Sequence, residues 1–406
     1  MYDLYKQTVA RKSSLPGIFF EDQKWTFSEL LRLTDKIASV YQNLGVKRGD
    51  RLGLLMESHP VYPAIWIAAT KLGAATGLLN YSQKDKTLQH SIDELQPKLM
   101  IVSQILSENL LGIKLPEGCQ ILVLDDRAIS PDNYCDESRK IASFDRLPTA
   151  KSLDRLIAQS DERFVRDPDH KASVKDTILF IYTSGTTGLP KAAVISCARY
   201  LLLSVGPCSF LRLNADKDLI YNSLPLYHTA GGITGMGQHI VFGMPIALRR
   251  KFSASQFWSD CIKYNATVIQ YVGELCRYLL SQPEKAEDKA HRVRLAYGNG
   301  IRPQVWAEFV NRFNVAQIGE FYGATESNAN FCNSENKLGA IGFSSVIAPW
   351  AYPVYLIRTD PVTEEVLRDP NTGLCISCNY GEVGQLVGAI RPNDPCRNFD
   401  GYTNSQ

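Results

Sequence analysis

The chain is predicted to fold as an α/β protein, with helix-flanked parallel sheets followed by a small, mostly β piece. Three observations predict this. Helix and strand signals alternate almost to residue 320, and after about residue 340 strand signals follow one another without helices. Hydrophobic residues make up 45% of the 406 and charged residues 21%, the balance of a globular chain with a large core. Glycine (28) and proline (20) are too few for a collagen-like or low-complexity chain.

The elements follow in order. Thr26-x-x-Glu29 is a capping box, and Leu30, Leu33, Ile37, Tyr41 and Leu44 recur at helical spacing before Gly45, a C-terminal cap. Arg51 to Met56 reads as a buried strand, and Tyr62 to Leu72 as a helix closed by Gly73. Ala75–Leu79, Leu99–Val102 and Ile121–Leu124 read as further strands. Residues 125–170 carry more charge, Pro and Ser and read as an irregular connection between two subdomains. Alternation resumes with strands at Ile178–Tyr182, Leu219–Asn222, Ile246–Leu248, Thr267–Tyr271, Val293–Tyr297 and Gln317–Phe321. Helices fit between them, including Ser253–Tyr264 and Pro303–Phe313. Tyr352–Ile357 and Val383–Ile390 read as strands of the terminal β piece.

Several function classes drop out. Lys plus Arg (44) nearly balances Asp plus Glu (42), so no nucleic-acid partner is expected. Ten cysteines at irregular spacing do not make a disulfide scaffold. Cys375-Ile-Ser-Cys378 stands alone, and plain cytosolic thiols are expected there rather than zinc or redox chemistry. The N-terminus has no apolar signal region. Leu219 to Leu248 lacks Asp, Glu, Lys and Arg, but its prolines, glycines and histidines suit strand–loop–helix–strand better than a membrane span.

The sharpest signal is Thr183-Ser184-Gly185-Thr186-Thr187-Gly188-Leu189-Pro190-Lys191, after the apolar strand Thr177–Tyr182. Glycines let backbone N–H groups close on an oxyanion, hydroxyls add donors, and Lys191 adds a charge. A Walker A loop needs four residues between its last two glycines and Ser or Thr after the Lys. Here only Thr186 and Thr187 separate Gly185 from Gly188, and Ala192 follows Lys191.

The segment resembles, at every signature position, the phosphate loop of the adenylate-forming enzymes: acyl-CoA synthetases, luciferases and peptide-synthetase adenylation domains. The resemblance implies their large N-terminal domain, two helix-flanked sheets plus a small β subdomain, divided at about 1–170, 171–340 and 341–406. It implies that Thr183, Ser184, Gly185, Thr186, Thr187, Gly188 and Lys191 hold the β and γ phosphates of ATP while a carboxylate attacks the α phosphorus. Such a reaction needs no general base, because the acid is already ionised at pH 7; it needs positive charge and fixed donors to bring two anions together.

Four more motifs stand in the family's order. In Leu224-Pro-Leu-Tyr227-His228 the resemblance places His228 beside the reacting carboxylate and Tyr227 in the acyl wall. Gly298, Asn299 and Gly300 let the flat adenine lie on backbone. In Phe321-Tyr322-Gly-Ala-Thr325-Glu326, Tyr322 stacks on adenine, Thr325 bonds the α phosphate and Glu326 holds Mg²⁺. Gly381–Leu386 matches a structural hairpin. Lys191, His228, Thr325 and Glu326 are thus the candidate catalytic residues.

Lys251–Tyr264, Thr267–Leu279 and Gly298–Pro303 are similar to the fatty acid transport proteins, or very-long-chain acyl-CoA synthetases, and the resemblance covers about residues 15 to 402. It implies activation of a long-chain or very-long-chain fatty acid with ATP, Mg²⁺ and coenzyme A, linked to uptake. Tyr271, Gly273 and Glu274 stand where an acyl tunnel wall would be. It also implies peripheral contact on the cytosolic face of the endoplasmic reticulum, peroxisome or plasma membrane. The family pattern continues with a ribose-binding Asp, a hinge and a mobile C-terminal domain bearing a catalytic Lys. The chain ends at Gln406 before these and shows no N-terminal anchor, so impaired turnover is expected. The other reading is a non-catalytic fatty acid- or nucleotide-binding isoform.

Overall fold

A computed structural model describes residues 1–136, 146–147, 149–162, 171–184, 188–345, 347–350, 352–395 and 397–403. Among the described residues the strands form two large sheets and one small one. The first sheet runs, edge to edge, Lys151–Ser152, Gln120–Leu124, Leu99–Ser103, Arg51–Leu55, Ala75–Leu79, Thr177–Ser184, Pro190–Ser196. It is parallel except for the last hairpin. The second runs Phe331–Cys332, Gln317–Tyr322, Leu295–Asn299, Val268–Val272, Ile220–Asn222, Ile246–Leu248, Pro16–Phe20, Gln23–Thr26. Its two outermost pairs are antiparallel and the rest parallel. Val354–Ile357 and Gln385–Gly388 pair antiparallel as the small β piece.

Local signals account for many of these elements. Helix Phe27–Asn43 starts at the expected capping box: the Glu29 N–H donates to the Thr26 hydroxyl at 3.2 Å, and the Thr26 N–H to Glu29 Oε2 at 2.7 Å. Gly45 follows at φ +78°, which only glycine adopts without strain. Helix Pro303–Phe313 has its proline in the first turn and Trp306, Phe309 and Phe313 buried on one face. The segment 219–248 forms a strand, a π turn at Ala230–Gly235, helix Met236–Phe242 and a strand. No helix among the described residues is long and apolar enough to cross a membrane.

The structure corrects three expectations. Residues 125–170 are not wholly irregular, because Lys151–Ser152 adds an edge strand and Leu153–Gln159 a helix capped by the Ser152 hydroxyl. The helix expected at Ser253–Tyr264 is confined to Phe257–Lys263. The strands also do not divide at residue 170. Thr177–Ser196 completes the first sheet, while Pro16–Thr26 lies beside Ile246–Leu248 in the second. Helix Tyr2–Lys12 joins that crossing: the Tyr5 hydroxyl meets His239 Nε2 at 3.1 Å, and His239 stacks on Phe27 with ring centroids 4.5 Å apart.

The two sheets are tied where their parallel strands end. Arg250, just beyond Ile246–Leu248, places Nη1 2.6 Å from Asp126 and 3.8 Å from Glu57, which follow strands of the first sheet. Lys251 reaches the other Glu57 oxygen at 2.6 Å. Both carboxylates are almost wholly buried, so these cations carry the charge balance of the junction.

Candidate active site

In an open parallel sheet, ligands bind outside the carboxyl ends of the strands. Each sequence-predicted motif sits at or just beyond such an end. Thr183 and Ser184 end one strand of the first sheet; Tyr227 and His228 follow Ile220–Asn222; Gly273 follows Val268–Val272; Gly298 and Asn299 end Leu295–Asn299; Tyr322 ends Gln317–Tyr322. The two sets of ends face one another. Tyr81, after Ala75–Leu79, meets the Tyr227 ring edge-on at 5.2 Å, and the Lys251 ammonium lies 5.5 Å from the Tyr81 ring centre. Burial and the neighbouring Tyr81 push the Tyr227 hydroxyl up to about 12.

His228 is open to the crevice, yet surrounding protein still disfavours its charged form and lowers its pKa. The Ala230 N–H donates to His228 Nδ1 at 3.2 Å, which leaves Nε2 carrying the proton of a neutral ring. Nε2–H is then a donor suited to a carboxylate oxygen. Next along the chain, the Thr229 and Thr325 hydroxyls share a hydrogen bond at 2.7 Å, joining the His228 segment to the Thr325–Glu326 turn. Tyr322, at the end of its strand, is 48% exposed. Glu326 keeps Oε2 buried with no hydrogen-bond partner. A buried, unsatisfied carboxylate oxygen is costly unless a cation meets it.

The Gly298–Gly300 turn is held by close backbone contact. A Cβ on Gly298 would stand 2.0 Å from the Tyr271 carbonyl, and one on Gly273 1.8 Å from that of Gly300, so glycine is required at both. Glu320 locks the same turn: its carboxylate accepts from the Tyr271 hydroxyl and from the Gly300 N–H. Burial raises the pKa of Glu320, against the pull of these bonds. Tyr271 is therefore a packed core residue fixed on Glu320. Glu274 is half-exposed and pairs with Arg277 at 3.1 Å on the helix surface. Of the three expected wall residues, Tyr271 and Gly273 abut the Gly298–Gly300 turn through their backbones.

Thr177–Ser184 and Pro190–Ser196, which flank the expected phosphate loop, pair as an antiparallel hairpin, and Thr183 stands directly across from Lys191. Gly185, Thr186 and Thr187 lie outside the described residues. Gly188 has φ +88°. The Pro190 carbonyl is bonded by His90 Nε2 at 3.0 Å, which fixes the far side of the loop. Lys191 is exposed, with Nζ 5.9 Å from the centre of the Tyr402 ring. Burial and Glu326 push the Tyr402 hydroxyl up to about 12, opposed by its bond with Thr183. Tyr402 thus lies against the strand that carries Lys191.

The model of the AMP-binding enzyme family matches residues 5–387. The chain belongs to the AMP-binding enzymes. Among curated relatives, long-chain fatty acid transport protein 1 of Bos taurus is 41% identical over 93% of this chain and 56% of its own length. A medium/long-chain-fatty-acid–CoA ligase of Mycobacterium tuberculosis is 34% identical over 98% of this chain and 61% of its own. The chain thus spans under two thirds of the length of these relatives. The ATP-bound MatB of Rhodopseudomonas palustris shares the fold, with a TM-score of 0.74 at 21% identity over 99% of this chain and 71% of that one. The two parallel-rich sheets and small antiparallel piece agree with the AMP-binding fold expected from the sequence.

Sequence reasoning missed Glu320, Tyr402, Thr229 and the Tyr81–Lys251–Glu57 contacts. Glu320 had a signal, a carboxylate inside the otherwise uncharged strand Gln317–Tyr322. Tyr402 carried only a turn-like Asp400-Gly401 before it.

Proposed function

We propose that the chain binds ATP with Mg²⁺ in this crevice and activates a long-chain or very-long-chain fatty acid as its acyl-adenylate, for transfer to coenzyme A. The observation that carries the reading is the gathering of Lys191, His228, Tyr322, Thr325 and Glu326 at facing strand ends. Names of the relatives supply the substrate class: fatty acid transport and fatty-acid–CoA ligation. Peripheral membrane contact, on the cytosolic side, belongs to the same proposal.

The residues present fit Mg²⁺. Among the described residues no three His, Cys, Asp or Glu side chains cluster as a metal cage. Mg²⁺ rarely uses one; it shares one or two carboxylates with substrate phosphates, as the orphaned Glu326 Oε2 would allow. When bound, the ion would neutralise phosphate charge. Lys191 adds a second positive charge to the same phosphates, and Thr325 orients the α phosphate by its hydroxyl. Neutral His228 donates from Nε2 to the fatty acid carboxylate without quenching its charge. Tyr322 offers its exposed ring to adenine, and Gly298 to Gly300 a flat backbone bed.

Two binding measurements test this. Calorimetric titration should show a non-hydrolysable palmitoyl-adenylate analogue binding more tightly than its acetyl counterpart; equal affinities would remove the fatty acid part. Glu326→Gln keeps the shape and removes the charge, so ATP affinity should become nearly indifferent to added Mg²⁺. An unchanged Mg²⁺ dependence would move the metal ligand elsewhere.

A further inference from the structure

The turn that follows His228 has its backbone pinned by the strands and the helix around it. Gln270 donates to the Ala230 carbonyl at 2.9 Å, and Asn222 to that of Gly231 at 3.1 Å. The Tyr200 hydroxyl donates to the Gly232 carbonyl at 3.2 Å, and the Tyr297 hydroxyl to that of Thr234 at 3.0 Å. Cβ atoms on Gly231 and Gly232 would stand 2.4 Å and 2.2 Å from the Pro225 and Leu226 carbonyls, so the turn is also packed close on the segment before it. The Thr325 turn is held as well. The Ser327 N–H donates to the Ala324 carbonyl at 3.1 Å, and buried Arg199 donates to the Ser327 carbonyl. Two fixed backbones thus face one another, and the Thr229 and Thr325 hydroxyls join them at 2.7 Å.

Thr229 stands at the start of its turn but makes no capping bond there; the partner of its hydroxyl is Thr325. Two hydroxyls carry two protons, and the bond between them uses one. Among the described residues neither makes another hydrogen bond, so one O–H is left for a ligand. The direction of the shared bond decides which. If Thr229 donates, the Thr325 O–H is free to turn to a phosphate oxygen, and each bond polarises the other. If Thr325 donates, its proton is used within the protein. An ionised phosphate oxygen only accepts, so its arrival at Thr325 selects the first arrangement. We propose that Thr229 is a positioning residue: it donates to Thr325 and so aims the Thr325 hydroxyl at the α phosphate. The proposal rests on the reading of Thr325 as a ligand of that phosphate, and deepens it by naming what sets the hydroxyl. It also couples the two reacting groups, because Thr229 follows His228, the residue assigned to the acid.

The test is calorimetric titration with AMP, which carries the α phosphate alone, and with adenosine, which carries none. Thr229→Val keeps the shape and removes the hydroxyl. It should bind AMP roughly 3–10-fold more weakly, the worth of one neutral hydrogen bond, and adenosine with parental affinity. Thr325→Val removes the donor to a charged oxygen and should lose about 10–100-fold on AMP. Thr229→Ser restores a donor and should recover most of the AMP affinity. The double variant should be no weaker than Thr325→Val alone, because Thr229 acts through Thr325. Parental AMP affinity in Thr229→Val, with a loss in Thr325→Val, overturns the role of Thr229 and leaves Thr325 standing. Losses that multiply in the double variant, or an equal loss on adenosine, show Thr229 acting on the ligand or the fold by itself and overturn the proposal as well. Parental AMP affinity in Thr325→Val overturns the α phosphate reading and this proposal together.

Discussion

Arg250→Ala is expected to destabilise the chain by about 3–5 kcal/mol, the cost of leaving the buried Asp126 carboxylate without its cation. Asp126 has no exposed side-chain surface and Glu57 only 4%, and Arg250 stands 2.6 Å from the first and 3.8 Å from the second. Burial already outweighs the guanidinium at Asp126 and raises its pKa. Its second oxygen, Oδ1, has no hydrogen-bond partner. Removing the arginine takes away this ion pair and also uncovers the Phe20 ring, which the guanidinium covers at 5.1 Å. Urea unfolding followed by tryptophan fluorescence measures the loss. The pH dependence gives a second reading with a fixed sign. A carboxyl with a raised folded pKa binds its proton more tightly folded than unfolded, so its contribution is present in acid and lost as pH rises through that pKa. The deficit of Arg250→Ala should therefore shrink on acidification, whereas simple loss of packing would not. A loss under about 1 kcal/mol would show that the sheets are held elsewhere.

The same junction shows which structure is legible locally. The capping box at Thr26, the glycine after Leu44 and the proline of Pro303–Phe313 each act within one helical turn, and each could be read from a few residues. Which strands neighbour which could not. Pro16–Phe20 joins Ile246–Leu248 across more than half the chain, and nothing in Pro16-Gly-Ile-Phe-Phe20 names that partner. Leu153–Gln159 has seven residues, too short for a clear period. The site divides in the same way. Lys191, His228 and Glu326 stand in motifs whose glycines and hydroxyls set them apart from core sequence. Glu320, Thr229 and Tyr402 act through register: one pins a turn across a strand pair, one bridges two strand ends, and one enters from an added edge strand.

Lys191→Ala should weaken ATP binding by about 10–150-fold, the equivalent of roughly 1.5–3 kcal/mol for one charge-assisted contact. The residue sits across from Thr183 at the base of its hairpin, on a strand held by pairing with Thr177–Ser184 and with residues 401–403. Its backbone is therefore fixed while its side chain stays exposed and able to reach a ligand. Two features separate phosphate gripping from a general effect on the site. The loss should shrink in the order ATP, ADP, AMP, as the β and γ phosphates that Lys191 is proposed to meet are removed. It should also shrink as salt rises, since an exposed cation is screened within about 10 Å at 0.1 M ionic strength. Lys191→Arg keeps the charge and should recover much of the affinity. A loss equal for AMP and ATP would place Lys191 at the α phosphate or the acid instead, and parental affinity for all three nucleotides would remove it from the phosphate site.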